Sequence, residues 1–186
     1  MTPRSAPDLI ADLKTRTQDH LARVRALALL SDEALHLRPR PDAWNALECI
    51  AHLNHYADFY QAEIRRRTAA TKHRADLTTF TSSWLGNKFA AGMKPGPKTR
   101  KVKTFKNANP VNFGREIGRD ELDKFAAHLE DLLALLEDAA AVDLTRTKVS
   151  TSISPLLRLR LGDALRTVIY HNWRHVAQAE AAAATA

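Results

Sequence analysis

The sequence predicts an all-α protein, a four-helix bundle, on three observations. Four long segments repeat apolar residues at three- and four-residue intervals, no segment alternates apolar with polar residues as a strand does, and helix-capping residues stand at segment starts. The chain has 186 residues, 45% of them apolar, which suffices for one domain with its own core. Residues 1–186 are read as that single domain.

Ser5, followed by Pro7, opens the first helix, whose stripe is Leu9, Leu13, His20, Val24 and Leu27 and which runs to about Leu30. A proline-broken connector, Leu37 to Asp42, leads to Trp44. Asn45 and Glu48 then have the spacing of a capping box. The second helix extends from there to about Thr71, with Ile50, Leu53, Tyr56, Ala57, Tyr60 and Ile64 on its apolar face. From His73 to Gly114 the period dissolves into a long crossover, interrupted by a short helical turn around Trp84 to Met93 and carrying the bases Lys94, Lys98, Arg100, Lys101, Lys103 and Lys106. A connection of that length in a compact domain is usually functional or mobile. The third helix spans about Arg115 to Ala141, its face made by Leu122, Phe125, Leu129, Leu132, Leu133 and Leu136. Ser154-Pro155 reads as an N-cap and first-turn proline for the fourth helix. An up-and-down-type bundle with the long basic crossover between the second and third helices is expected.

Composition narrows the function classes. No apolar run approaches the 18 to 20 or so residues of a membrane span. The start, Met-Thr-Pro-Arg, is followed by no signal-peptide pattern, and the lone Cys49 can form no internal disulfide. A cytoplasmic location is expected. The net charge of +7 would suit an acidic partner. Both signs are nevertheless interspersed along the helices, only Phe105 interrupts the basic run, and no DNA-binding motif is present, so nucleic-acid binding is disfavoured.

The chemistry is carried by HNWRHVAQ. His171 and His175 stand one helical turn apart, on the stripe Leu161, Ala164, Val168, His171, His175, Gln178. With 8 histidines in 186 residues, roughly one shuffled chain in three would show such a pair, so placement on the apolar stripe matters more than spacing. A third histidine from another helix would complete a facial site with open positions, as catalytic metal centres have. On the second helix His52 falls on the shoulder of the apolar face, and His55 lies about 60° further toward solvent. His52 is therefore the preferred third ligand. His20 on the first helix competes as a ligand or as a hydrogen-bond partner of one.

Trp44-Asn-Ala-Leu-Glu-Cys-Ile-Ala-His52-Leu-Asn, together with Leu161-Gly-Asp and His171-Asn-Trp-Arg-His175, resembles the DinB-like superfamily of metal-binding four-helix bundles over nearly the whole chain. That resemblance implies a divalent metal, zinc or nickel above all, on His52, His171 and His175. It implies metal-dependent small-molecule chemistry, a transferase of the bacillithiol-dependent kind or a hydrolase, and a homodimer. It implies no particular substrate. In a thiol-transfer reading, Lys101, Lys103 or Lys106 would neutralise the carboxylates of a low-molecular-weight thiol if the basic loop folds over the bundle mouth. A metal-binding protein without turnover, in stress response or interaction, is the alternative. Cys49 is expected to be a small buried hydrophobe, and Trp44, Tyr56, Tyr60 and Trp173 packing residues. Glu48 is open between a capping role and orientation of His52.

Overall fold

Ser5 accepts the backbone N–H of Asp8 at 3.2 Å, and from that cap helix α1 runs Ala6–Leu27. Its stripe Leu9, Leu13, His20, Val24 and Leu27 is buried throughout. In the computed structural model, which describes residues 2–75, 78–96, 104–154 and 156–185, the connector after α1 holds a short helix, α2, Asp32–His36, capped by Ser31. Helix α3, Ala46–Ala70, opens on the expected capping box. Glu48 N–H donates to Asn45 Oδ1 at 2.8 Å and Asn45 N–H donates to Glu48 Oε2 at 2.9 Å. Two orphan donors are satisfied reciprocally there.

The crossover is more ordered than its composition suggests. It contains a full helix, α4, Trp84–Met93, packed along the last helix. Strand β1, Arg4–Ser5, pairs antiparallel with β2, Thr79–Phe80, and two 3-10 turns occupy Lys106–Ala108 and Pro110–Asn112. Helix α5 is Asp120–Ala140, five residues shorter at its start than expected. Gly114 takes a left-handed φ of 66°, which only glycine adopts without strain, and the segment after it is held by Arg115 in an ion pair with buried Glu121. Asp120, Glu121 and Asp123 then fill the first turn of α5, where the helix dipole favours acids.

The start of the fourth long helix is also corrected. Ser154 does not cap it. Lys148–Ser150 (β3) and Arg158–Arg160 (β4) form an antiparallel hairpin with Val149 opposite Leu159, and Ser154 Oγ accepts the N–H of Leu156 at 3.3 Å within the hairpin turn. Pro155 lies outside the described residues. Helix α6 begins at Leu161 and ends at Ala183. The expected stripe is buried at Leu161, Ala164 and Val168, and from there the inward side passes to Ile169, Asn172, Val176 and Ala179. His171 and His175 are half-buried on the flank of the core-facing side.

The arrangement differs from an up-and-down bundle. Both α1 and α3 pack against α5 and α6, so α1 and α3 stand on opposite corners. One apolar cluster gathers Leu13 of α1, Ile64 of α3, Leu136 of α5 and Leu165 of α6. The other gathers Leu27, Leu47, Leu122 and Val176. Reading each helix from one cluster to the other gives directions up, down, down, up. Parallel neighbours α3 and α5 can be joined only by a chain that returns the length of a 25-residue helix, about 37 Å. The long crossover does this.

His20 is 1% exposed, and its Nδ1 has no hydrogen-bond partner among the described residues. Burial, reinforced by Arg23 and Arg16 and opposed by Asp19 and Glu180, lowers its pKa to about 4. The unfolded chain accepts the proton near 6.5, the folded one resists it. Stability from the neutral ring is complete above about 6.5 and is lost as pH falls toward 4. A His20→Leu variant should therefore lose about 3 kcal/mol less than wild type between about pH 7 and pH 4, by denaturant melts. Parallel pH profiles for the two proteins would contradict this.

Candidate metal centre

The packing of α3 against α6 brings together what the sequence separates by 119 residues. His52 Nε2 lies 3.3 Å from His171 Nε2, and one ligand atom from each of His52, His171 and His175 lies within 4.8 Å of the others. Ring centroids are 5.1 Å apart for His52 and His171, and 4.6 Å for the pairs that include His175. The outer nitrogens of His52 and His175 are engaged elsewhere. His52 Nδ1 donates to the carbonyl of Ala108 at 2.8 Å, and His175 Nδ1 donates to Gln178 Oε1 at 3.0 Å. Each bond places the proton on Nδ1, leaving the Nε2 lone pair free to point inward.

Desolvation is the leading cause that lowers all three imidazoles, His52 to about 4, His175 to about 3 and His171 well below its ordinary value. The rings are neutral at physiological pH, which is the form a metal requires. Trp44 faces His52 at 4.9 Å and His175 at 5.9 Å, and the edge of Tyr56 meets both His52 and His171. These aromatics, expected only to pack, also wall the cluster. The donor set fits a divalent ion: nitrogens bonded to one tetrahedral zinc at about 2.0–2.1 Å would lie about 3.3 Å apart. A direct imidazole hydrogen bond between His52 and His171 has the same length but requires His171 to carry its proton on Nε2.

A family profile described as the DinB superfamily matches residues 13–179. The chain belongs to the DinB superfamily. No curated protein and no solved structure matches it.

Within this DinB-superfamily protein the remaining sequence candidates separate clearly. His20 is buried on α1 outside the three-histidine cluster. His55, expected to be exposed, is half-buried: Phe113 of the crossover lies against its ring at 5.7 Å, and its neighbour on α3, Tyr56, at 5.5 Å. Cys49 is fully buried and its thiol is pushed up by burial, so it offers no thiolate. Glu48 is accounted for by the capping box and by an ion pair with Arg38. Of the basic loop, Lys98, Arg100, Lys101 and Lys103 lie outside the described residues. Lys94 places its ammonium 4.6 Å from the Tyr170 ring centroid, and Lys106 is exposed on the 3-10 turn two residues before Ala108. The end of the crossover thus does reach the histidines, through a backbone carbonyl. No side-chain pattern could have announced Ala108. Gln178 was visible, three residues after His175 on the same stripe.

No described helix is long and apolar enough to cross a membrane.

Proposed function

We propose that His52, His171 and His175 hold one divalent metal ion and that the protein uses it for group transfer on a small molecule, thiol transfer being the leading class. The observation that carries this reading is the convergence of three neutral imidazoles, two of them with Nδ1 already anchored. When bound, an ion held by three neutral ligands keeps its full charge and supplies Lewis acidity that acidifies water or a thiol. The chain contributes the surroundings. Ala108 and Gln178 hold the tautomers of His52 and His175, Trp44 and Tyr56 wall two sides, and Lys106, exposed two residues before Ala108, is the cation assigned to a substrate carboxylate. In the transfer, sulfur bonds to an electrophilic carbon, the leaving group departs with its electron pair, and the thiol proton passes to solvent.

The test is consumption of low-molecular-weight thiols with a chromogenic aryl halide, by zinc- or nickel-loaded protein against metal-free protein. Metal-dependent turnover supports transfer. Equal rates in both preparations would leave a metal-binding protein without this activity. Separately, Gln178→Ala should weaken metal affinity by about 10- to 100-fold with unchanged helicity, because the ring it orients is freed. Competition with a chromogenic chelator measures this.

A further inference from the structure

At the far end of α3 a second concave site is built of different chemistry. A cleft of about 350 Å³ lies between the last turns of α3 and the β3–β4 hairpin, within the size range of small-molecule sites. Its organising residue is Glu63, only 10% exposed at the side chain. Glu63 Oε2 accepts from Arg66 Nε at 3.0 Å, and Glu63 Oε1 accepts from Arg67 Nε at 2.8 Å and from the N–H of Ser150 at 3.1 Å. Burial would raise this carboxyl, but the two guanidiniums and Ser150 outweigh it and hold the pKa at about 2. Arg67 also donates to Ser150 Oγ at 3.2 Å. The carboxylate thus aligns two guanidinium planes without neutralising both. Arg158, exposed on the opposite wall, makes no ion pair among the described residues. Three guanidiniums against one carboxylate leave an excess of two positive charges.

Two further features point to a ligand rather than to a structural ion-pair net. The hairpin turn adds Ser152 to the lining, its hydroxyl 3.4 Å from Tyr60 Oη. Phe59 and Ile153, 38% and 50% exposed, flank the cleft with apolar surface. Charged forks aligned in advance beside hydroxyls suit the planar or tetrahedral oxyanions of carboxylates and phosphates, and the flanking side chains suit a short hydrocarbon stem. We propose that this cleft binds a small organic oxyanion, its carboxylate or phosphate on Arg66, Arg67 and Arg158 and its apolar stem between Phe59 and Ile153. It stands apart from the histidines, eleven residues or about 16 Å along α3 from His52, and does not depend on the metal reading.

Amide NMR spectra of the metal-free full chain, titrated with inorganic phosphate and with butyrate, test this. Saturable shifts in residues 59–67 and 150–158 are expected, weakened about tenfold in Arg158→Gln, whose loss breaks no ion pair, and unchanged in His171→Ala. Shifts at Phe59 and Ile153 with butyrate alone assign the stem. Phosphate binding tighter than butyrate identifies phosphate monoesters as the class, and the reverse identifies carboxylates. No saturable shift from either anion at about 10 mM, or equal affinity in Arg158→Gln, overturns the proposal.

Discussion

His171→Ala protein, expressed without an affinity tag and loaded with zinc or nickel, is expected to bind metal at least about 100-fold more weakly than wild type, and His175→Ala likewise. Each substitution reduces the donor set to two imidazoles, and two rings cannot close a facial site around an ion that takes four or more ligands. The fold should persist. His171 and His175 sit half-buried beside the core, while Leu165, Ile169, Val176 and Ala179 carry the packing of α6, so helicity by circular dichroism should match wild type. His55→Ala is the control that should keep its metal, because that ring faces Phe113 and Tyr56 and is no part of the cluster. Metal analysis of the purified variants reads the result directly. Unchanged metal content in both α6 variants would remove the assigned ligands. It would also favour the alternative in which His52 and His171 share a hydrogen bond across their 3.3 Å separation.

Asp163→Ala should destabilise the protein by about 3–5 kcal/mol, the largest effect expected of any substitution outside the apolar core. Asp163 is fully buried in the first turn of α6. It accepts from the Ser82 hydroxyl, from Ser83 N–H at 2.9 Å, from the Ser83 hydroxyl at 3.1 Å and from Arg166 at 3.3 Å. Arg166 is itself 4% exposed and donates to Ser82 Oγ at 2.8 Å and Asn87 Oδ1 at 3.1 Å. A guanidinium keeps its charge in any folded protein. Removing Asp163 therefore leaves that charge buried without its counter-ion, and three further donors around Ser82 and Ser83 lose their acceptor. The same contact docks α4: a Cβ on Gly86 would lie 2.1 Å from Asp163 Oδ2, so only glycine lets the helix approach so closely. Denaturant melts give the magnitude, and faster proteolysis within residues 84–93 gives the location. Asp163→Asn, which keeps the shape and one acceptor, should lose roughly half as much. A loss under about 1 kcal/mol in Asp163→Ala would show that the network is relieved by water.

Much of this was legible in the chain. Local chemistry determines helix starts where a side chain caps its own backbone, and Ser5 and Asn45 act through bonds three residues long; their helices begin where the residues indicate. Ser154-Pro155 carried the same signal and failed, because the hydroxyl caps a hairpin turn instead. A cap motif reports a local turn, and only strand pairing with residues 148–150 decides whether a helix follows. The early start expected for α5 failed similarly, since Arg115 is drawn to buried Glu121 rather than into a helical turn.

The histidines show the division most clearly. Periodicity alone placed His171 and His175 on one side of a helix and His52 on the shoulder of another, because 3.6 residues per turn is a property of the backbone. That the two helices are antiparallel neighbours, with α1 diagonal to α3, was decided by the crossover that returns the chain from one end of the bundle to the other, a non-local event no residue pattern encodes. Packing likewise chose which partners fix the rings. Gln178 sits on the stripe and was visible, whereas Ala108 arrives from a loop 56 residues away with only its carbonyl to offer, and every residue has a carbonyl.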